Sequence, residues 1–423
     1  MRRRAALPAF APCPLEESGA SSFSPHRALD KKAMTTVFER LDAGLMLSPE
    51  EKALLQSVET LAREKIAPRA EYYDRSGEFP ADNVRAINAL GLNAMFVPEA
   101  YGGSPLSYRA YLCCVRALSE ACASTASIWA TNFHAMSALI DFGSEEQKRR
   151  LLPRLAEGAL AALAITEPDA GSDATHMATR FRPEEDAIVV SGGKIFISNG
   201  DVADLILLFG KWEGVQDPRE AISALILEKG TKGFRVLRKE RKMGLCACPT
   251  AALAFDDCRV PKANLLAGPG EGLRLLLAAL NKSRPSVAAH ALGIARAAFA
   301  DALAYINERR QGGRRIIEFQ GIQFLLADLA SELAKTEAWL WHVARLVDEG
   351  RGDIAVEASI LKLAASDLAM RMTTEAVQLF GGYGYCKDHR VERLMRDAKI
   401  TQIWEGTNQI QRQLIGRSFI KRN

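Results

Sequence analysis

The spacing of apolar residues along this chain of 423 residues changes twice, and this change limits the possible folds more than any other feature. Up to about residue 160, apolar residues recur at the three- and four-residue spacing of amphipathic helices. Between residues 161 and 271, short β-favouring runs alternate with Gly, Asn, Asp and Pro, a pattern typical of strands and turns. From residue 272 the helical spacing returns. The sequence therefore predicts a helical domain, a β domain and a second helical domain, in that order.

The first helical domain is expected to span residues 34–160. Ser48, Pro49 and Glu51 predict a helix start, because Ser caps the helix, Pro suits its first turn and Glu can bond back to the cap. A second capping box is predicted at Ser144.

The β domain is expected to span residues 161–271 and to form a small β-barrel or sandwich. Gly192-Gly193 and Asn199-Gly200 are interpreted as turns between strands. The predicted strands cover residues 163–166, 187–190, 194–198, 205–209, 222–227, 234–237 and 252–255.

The second helical domain, residues 272–423, is expected to be a four-helix bundle because its helices are long. Three of them are predicted at residues 275–308, with a kink at Pro285, at 318–349 and at 353–379. The predicted fold class is therefore α+β with three domains.

Residues 1–33 differ in character from the rest: a basic start is followed by Pro, Ser and Gly without any apolar period. Glu16, Glu17 and Asp30 argue against a transit peptide, which is usually poor in acidic residues. We interpret this segment as a disordered tail, or as sequence upstream of a true start at Met34.

Composition excludes several classes of protein. A net charge of +4 gives no case for nucleic-acid binding, and no apolar run approaches the length of a membrane span. Eight cysteines without a secretory signal favour a reducing compartment, and no metal site is predicted, because Cys246 and Cys248 lack a second pair of ligands. A cytoplasmic location is expected, or the mitochondrial matrix if the first 33 residues are a transit peptide.

Residues 390–417 place a carboxylate on a short loop between two helical segments. Gly406 ends the first segment, and Asn408 with a Gln three residues later matches a capping box that begins the second. Glu405 is therefore expected beside the indole of Trp404, where a carboxylate loses hydration and becomes a stronger base. Two interpretations stay open here: a catalytic base, or a helix-terminal Glu paired with a neighbouring Arg or Lys.

The common nucleotide-binding loops, the serine-nucleophile elbow and the zinc-protease motif are missing from the sequence. The histidines at positions 134, 176, 290, 342 and 389 are isolated and are interpreted as surface or core residues.

Six segments, in chain order, resemble the signatures of the acyl-CoA dehydrogenase family. They are residues 165–173 (ITEPDAGSD), 194–200 (KIFISNG), 281–285 (NKSRP), 308–313 (ERRQGG), 378–382 (QLFGG) and 404–407 (WEGT). The resemblance extends from Ser48 to Arg417, nearly the whole chain, and the family's α, β, α domain order agrees with the pattern above.

The resemblance implies FAD-dependent α,β-dehydrogenation of an acyl-CoA thioester to the 2-enoyl-CoA. Glu405 would abstract the α-proton while the β-hydrogen leaves as hydride to flavin N5. The flavin ribityl hydroxyl and the backbone N–H of Glu405 would polarise the thioester carbonyl. The implied partners are an electron-transfer flavoprotein and further copies of the chain, in a homotetramer or dimer of dimers.

The resemblance also assigns cofactor contacts in the β domain. Ile165 and Thr166 match the flavin pyrimidine edge, and Ser172 matches the ribityl-phosphate or CoA side. Phe196 and Ser198 match positions along the isoalloxazine ring; by itself, Phe196 would be interpreted as a β-core aromatic.

Further contacts are assigned in the C-terminal domain. The residues matched to the FAD adenosine and pyrophosphate of a neighbouring subunit are Arg309, Gln320, Gln378, Gly381 and Gly382, and those matched to other FAD contacts are Thr407 and Gln409. The substrate side is matched by Asn281, Arg284, Gly406 and again Ser172; by itself, Arg284 fits a surface salt bridge equally well.

Three positions depart from the family pattern. Trp404 stands where Tyr is usual, which is expected to narrow the acyl pocket. Gly312 replaces a Phe near the adenine, which puts the affinity for FAD in question. Ser283 stands where some relatives carry the base, so Glu405 is the only matching carboxylate.

Two rival functions are compatible with the sequence. A flavin oxidase or monooxygenase of the same fold would pass its electrons to O₂. A helical scaffold that has lost its cofactor would explain Gly312.

Overall fold

The computed structural model describes residues 35–420, and its elements follow the predicted order of helices, strands and helices. The expected tail at 1–33 and the alternative start at Met34 lie outside the described residues. The three-domain α+β architecture is thereby confirmed.

The N-terminal domain is helical throughout. Its helices are α1 (Thr35–Ala43), α2 (Pro49–Leu61), α3 (Ala70–Ser76), α4 (Ala81–Ala89), α5 (Tyr108–Ala121), α6 (Ala123–Phe142) and α7 (Glu145–Ala156). The capping boxes predicted at Ser48 and Ser144 are both present, each with its side chain accepting a bond from the third helical residue. α5 and α6 are almost completely buried and form the core of this domain.

The middle domain is a single eight-stranded sheet. Its strands are β1 (Ala161–Ala164), β2 (Arg180–Pro183), β3 (Ala187–Ser198), β4 (Leu205–Trp212), β5 (Ile222–Glu228), β6 (Phe234–Lys239), β7 (Thr250–Pro261) and β8 (Leu265–Ala267). They are ordered β6-β7-β3-β2-β4-β5-β8, with β1 parallel to β4. No pairing between described strands joins β6 to β8. The barrel alternative is therefore wrong, and the sheet is open.

The sheet buries both faces. On β4, Leu205, Leu207 and Phe209 pack with α6, α7 and α8, whereas Ile206 and Leu208 belong to a second core formed within the β domain. Because both faces of the sheet are buried, consecutive residues in several strands are apolar instead of alternating with polar ones.

The turn predicted at Gly192-Gly193 is wrong. β3 continues through both glycines, which pair with Phe255 and Ala254 of β7 across a bulge. A Cβ at Gly192 would lie 2.7 Å from the Cα of Thr179, so this position needs glycine for a close approach rather than for a turn. The strands β2 and β8 were not predicted, because each is only three or four residues long.

The C-terminal domain contains three long helices and two short ones. Its elements are α8 (Gly272–Glu308), a hairpin of β9 (Arg310–Gln311) and β10 (Arg314–Arg315), α9 (Gln320–Asp348), α10 (Ala355–Phe380), α11 (Val391–Lys399) and α12 (Asn408–Ser418). Helix α8 runs through Pro285 without interruption. Its length and composition would allow it to cross a membrane, but 72% of its most apolar stretch is buried in the protein.

Gly312 and Gly313 form the two-residue turn of the β9–β10 hairpin. Both have positive φ values, 57° and 78°, as a type I′ turn requires. A side chain at Gly312 would be strained in this conformation, which gives a structural reason for glycine at this position.

The β domain meets the C-terminal domain at Gly244, which lies against the backbone of α11. A Cβ at this position would lie 2.4 Å from the carbonyl oxygen of Arg396. We expect Gly244→Ala to lower the free energy of unfolding by about 1–3 kcal/mol, because backbone atoms cannot yield as a flexible side chain can. Thermal unfolding measures the change. Gly268→Ala is the control, since no atom lies within 4 Å of its added Cβ; equal effects of the two substitutions would contradict the argument.

Candidate active site

Glu405 lies on a short loop that enters helix α12. Its φ is +53° and that of Gly406 is +88°, so two consecutive residues have left-handed conformations. The side chain of Thr407 accepts a hydrogen bond from the N–H of Ile410 and caps the helix. The predicted cap at Asn408 is therefore off by one residue.

Buried side chains fix this loop from behind. Lys362 Nζ donates hydrogen bonds to the Gly406 carbonyl and to Asn408 Oδ1, both at 2.9 Å. Gln411 Nε2 donates to the carbonyls of Glu405 and Gly406 at 3.2 and 2.9 Å. Burial lowers the pKa of Lys362 to about 7, against the opposing effect of the Glu405 charge.

The carboxylate of Glu405 enters a partly open crevice beside α6 and α8. Ser283 Oγ on α8 donates a hydrogen bond to Oε2 at 2.5 Å, and His134 Nδ1 on α6 lies 4.0 Å from Oε1. The Glu405 side chain is 17% exposed, so a ligand can still reach it. Arg284, next to Ser283, is buried, and burial lowers its pKa while the charge of Glu405 opposes that effect.

The structure therefore brings several predicted residues together. Ser283, Arg284 and Gly406 surround Glu405, and Asn281 accepts a hydrogen bond from Arg284 Nη1 at 3.2 Å. Because Arg284 is buried, its interpretation as a surface salt bridge is wrong.

Two buried histidines near Glu405 were not identified as site residues from the sequence. His134 is buried on α6, and its Nε2 has no hydrogen-bond partner among the described residues. His290 on α8 lies with its ring 5.6 Å from that of Trp404, and its Nδ1 is 3.1 Å from Ser119 Oγ. Nothing in their local sequence marks them, because helices far apart in the chain bring them to Glu405.

The β-domain residues matched to the flavin lie around the end of β1 and the bulged part of β3. The N–H of Ile195 donates to the carbonyl of Thr166 and joins the two segments. Phe196 has a φ of +60° and its side chain is 60% exposed, so the bulge turns the ring out of the sheet. Its interpretation as a core aromatic is wrong. Ser172 is exposed on the loop after β1, and Ile165 and Ser198 are half-buried.

A buried ion pair supports this region and was also missed. Lys194 Nζ is 2.7 Å from Glu167 Oε1 and donates to the carbonyl of Ile165 at 2.8 Å. Glu167 also accepts hydrogen bonds from the N–H groups of Ala178 and Thr179. Burial lowers the pKa of Lys194 to about 8, whereas the charge of Glu167 opposes that change. The pair therefore connects the loop after β1 to β3.

A third group of predicted residues lines a cavity of about 550 Å³ at the ends of α8 and α10. Its lining includes Arg309, Gln378, Gly381 and Gly382. The Arg309 guanidinium lies 5.6 Å from the centre of the Tyr383 ring. Gly381 has a φ of +61°, and an added Cβ there or at Gly382 would meet no atom within 4 Å.

The structure does not bring all predicted residues into one place. Neither Glu405 nor Phe196 lines the Arg309 cavity. Gln320, the first residue of α9, is exposed, as is Gln409 on α12. Among residues 35–420 no cluster of His, Cys, Asp or Glu has the geometry of a metal site.

Removing Lys194 should leave a buried carboxylate without its charge partner. We expect Lys194→Met to lower the free energy of unfolding by about 3–5 kcal/mol, as measured by urea unfolding. The double variant Glu167→Gln/Lys194→Met removes both charges and should lose less. A double variant at least as unstable as Lys194→Met would contradict the role of the ion pair.

His290 should make the protein sensitive to acid. Burial, with a smaller contribution from His134, lowers its pKa to about 3. Between that value and the ordinary pKa of about 6.5, only the unfolded chain binds the proton, so stability falls as the pH falls. From pH 7 to pH 5 this effect amounts to about 2 kcal/mol.

The variant His290→Asn should lose correspondingly less stability over the same pH interval, as measured by urea unfolding at both pH values. His176→Gln, at an exposed position in the β domain, should lose as much as the original protein. Equal pH dependence of His290→Asn and the original protein would contradict the assignment.

Comparison with known proteins agrees with this arrangement. Family models described as the N-terminal, middle and C-terminal domains of acyl-CoA dehydrogenase match residues 48–159, 162–258 and 270–420. An acyl-CoA dehydrogenase of Bacillus subtilis is 41% identical over 376 residues, 88% of this chain and 99% of that protein. A short-chain specific acyl-CoA dehydrogenase of Clostridium acetobutylicum is 39% identical over 376 residues, with the same coverage.

Solved structures are similar over the same region. Butyryl-CoA dehydrogenase from Megasphaera elsdenii has a TM-score of 0.86 and 37% identity, covering 89% of this chain and 99% of that chain. A chain from a structure described as the electron transferring flavoprotein of Acidaminococcus fermentans has a TM-score of 0.86, 39% identity and the same coverage. A glutaryl-CoA dehydrogenase from Mycobacterium smegmatis in complex with FADH2 has a TM-score of 0.83 and 26% identity, covering 90% and 97%.

The matched domains account for most of the chain, and the relatives are matched over nearly their whole length. The chain is an oxidoreductase that belongs to the acyl-CoA dehydrogenase family, whose members depend on FAD.

Proposed function

We propose that this protein dehydrogenates an acyl-CoA thioester to the 2-enoyl-CoA with bound FAD, and that Glu405 is the base that removes the α-proton. The observation that carries the proposal is the fixed position of Glu405, whose loop is bonded from behind by Lys362 and Gln411 while its carboxylate enters a crevice. A base held in this way needs no reorganisation when the substrate arrives.

The loop backbone contributes as well as the carboxylate. The N–H of Glu405 donates no hydrogen bond to any acceptor within residues 35–420, so it is free to bind the thioester carbonyl oxygen. Charge develops on that oxygen as the α-proton leaves, and a preorganised donor stabilises it. Ser283 holds one carboxylate oxygen of Glu405 and leaves the other, on the His134 side, to receive the proton.

The residues present fit FAD on two observations. Phe196 turns an aromatic ring outwards from a bulge, where it can pack along a flat heterocycle. The Arg309 cavity presents a guanidinium beside two glycines with free space around their Cα atoms, an arrangement suited to a pyrophosphate. When bound, FAD would supply the acceptor for the β-hydrogen, which the side chains of this protein cannot provide.

The separation of the Arg309 cavity from Glu405 supports an assembly in which one copy contributes to the cofactor of another. We propose a homotetramer or dimer of dimers on this ground, with an electron-transfer flavoprotein as the electron acceptor. The similarity of this chain to one in the structure described as the electron transferring flavoprotein of Acidaminococcus fermentans supports that partner. A cytoplasmic location is proposed from the seven unpaired cysteines of the described residues.

The variant Glu405→Gln tests the base directly. The substitution keeps the size of the side chain but removes its ability to accept the proton. We expect the variant to keep its yellow bound flavin, and we expect acyl-CoA to bleach that flavin anaerobically at least a thousandfold more slowly. Stopped-flow absorbance measures the rate. Glu349→Gln, an exposed glutamate at the end of α9, is the control and should bleach at the original rate.

Rapid bleaching of Glu405→Gln would remove Glu405 from the mechanism. Peroxide formation in air that outpaces transfer to an artificial acceptor would favour the oxidase alternative. A purified protein that FAD cannot turn yellow would favour the scaffold.

A further inference from the structure

The Glu405 carboxylate is only partly exposed, and its nearest side chains come from helices packed in the protein interior. They are Ser283 from α8 and His134 from α6. The hydroxyl of Tyr111, on α5, lies 2.6 Å from Ser286 Oγ, on the same helix as the serine that bonds the carboxylate. Burial, and to a smaller extent the charge of Glu405, raise the pKa of this phenol. An acyl chain whose α-carbon meets Glu405 must extend between these three helices.

Five aromatic side chains pack together around Tyr111, beside this part of α8. This five-ring cluster consists of Phe96, Tyr108, Tyr111, Trp129 and Phe133. The ring of Tyr111 has its centre 4.4 Å from that of Phe133, 5.1 Å from that of Phe96, and 5.5 Å from those of Tyr108 and Trp129. Such spacings are those of packed rings, and all members except the half-buried Phe96 are buried.

Helix α8 sets the distance between the base and the cluster. Ser283 bonds the Glu405 carboxylate, and Ser286 Oγ lies 2.6 Å from the Tyr111 hydroxyl. These serines are three positions apart in the helix, so they share a helix face and lie about 4.5 Å apart along the axis. A second phenol, Tyr108, donates to the Lys282 carbonyl and fixes the cluster to the same helix.

We propose that the five-ring cluster closes the acyl end of the crevice and restricts the substrate to short acyl groups. This inference rests on the proposed function and specifies its substrate class. The serine that bonds Glu405 and the serine that bonds Tyr111 lie less than one helical turn apart, a spacing that suits only a few carbons beyond the reacting bond. A longer chain would have to displace packed rings, and protein cores resist such overpacking. Tyr111 and Phe133 are therefore the specificity-determining residues.

The original protein provides the first test. The kcat/KM for anaerobic flavin reduction is measured with butyryl-CoA, octanoyl-CoA and palmitoyl-CoA. We expect at least a tenfold decrease from butyryl-CoA to octanoyl-CoA and no turnover of palmitoyl-CoA. Octanoyl- or palmitoyl-CoA as good as butyryl-CoA would overturn the inference and leave the proposed function intact. Failure of all three to reduce the flavin would overturn the proposed function, and the inference with it.

A matched pair of variants tests the cluster itself. Phe133→Val opens space beside the ring of Tyr111, so the ratio of kcat/KM for octanoyl-CoA to that for butyryl-CoA should rise at least tenfold. Phe255→Val removes the same atoms from the buried core of the β domain and should keep the original ratio. An unchanged ratio in Phe133→Val would overturn the role of the cluster. The measurement on the original protein decides the chain-length preference even if a variant does not fold.

Discussion

The site depends on one buried lysine side chain. Lys362 has no exposed surface, and its hydrogen bonds go to the Gly406 carbonyl and Asn408, on the loop that carries Glu405. Removing a charge from water costs several kcal/mol, so it is tolerated only where dipoles and an opposite charge replace the solvent. Glu405, a non-glycine residue with a φ of +53°, is strained by itself, and these bonds hold its loop in place. Lys362 thus converts an unfavourable backbone conformation into a rigid support for a carboxylate.

The remaining parts of the site are supplied by elements that also form the cores. α8 contributes Ser283 and Arg284 to the crevice while its other residues pack against α5, α6 and α10. β3 holds Phe196 on its exposed side and, two residues earlier, buries Lys194 against Glu167. Groups that face the ligand therefore stand on backbone that packing and buried ion pairs already fix, which is how a preorganised site is maintained.

Sequence analysis succeeded where the signal is local. The order of the domains, the capping boxes at Ser48 and Ser144 and the loop position of Glu405 follow from periodicity and turn chemistry. It failed at Gly192, because pairing with the distant strand β7 keeps this glycine inside a strand. It also failed at the start of α12, because Thr and Asn are similar helix caps and Thr407 rather than Asn408 caps the helix. Lys362 and His134 could not be found because they approach Glu405 only after the helices pack.

The spacing of two serines on α8 has a consequence for how such a site can evolve. The serine that holds the carboxylate and the serine that anchors the first ring are three residues apart on one face. Substitutions beyond Ser286 can change the side chains around the crevice without moving Glu405, the proposed base. Related proteins that share this helix can therefore come to accept different acyl groups in small steps, while the arrangement around Glu405 stays unchanged.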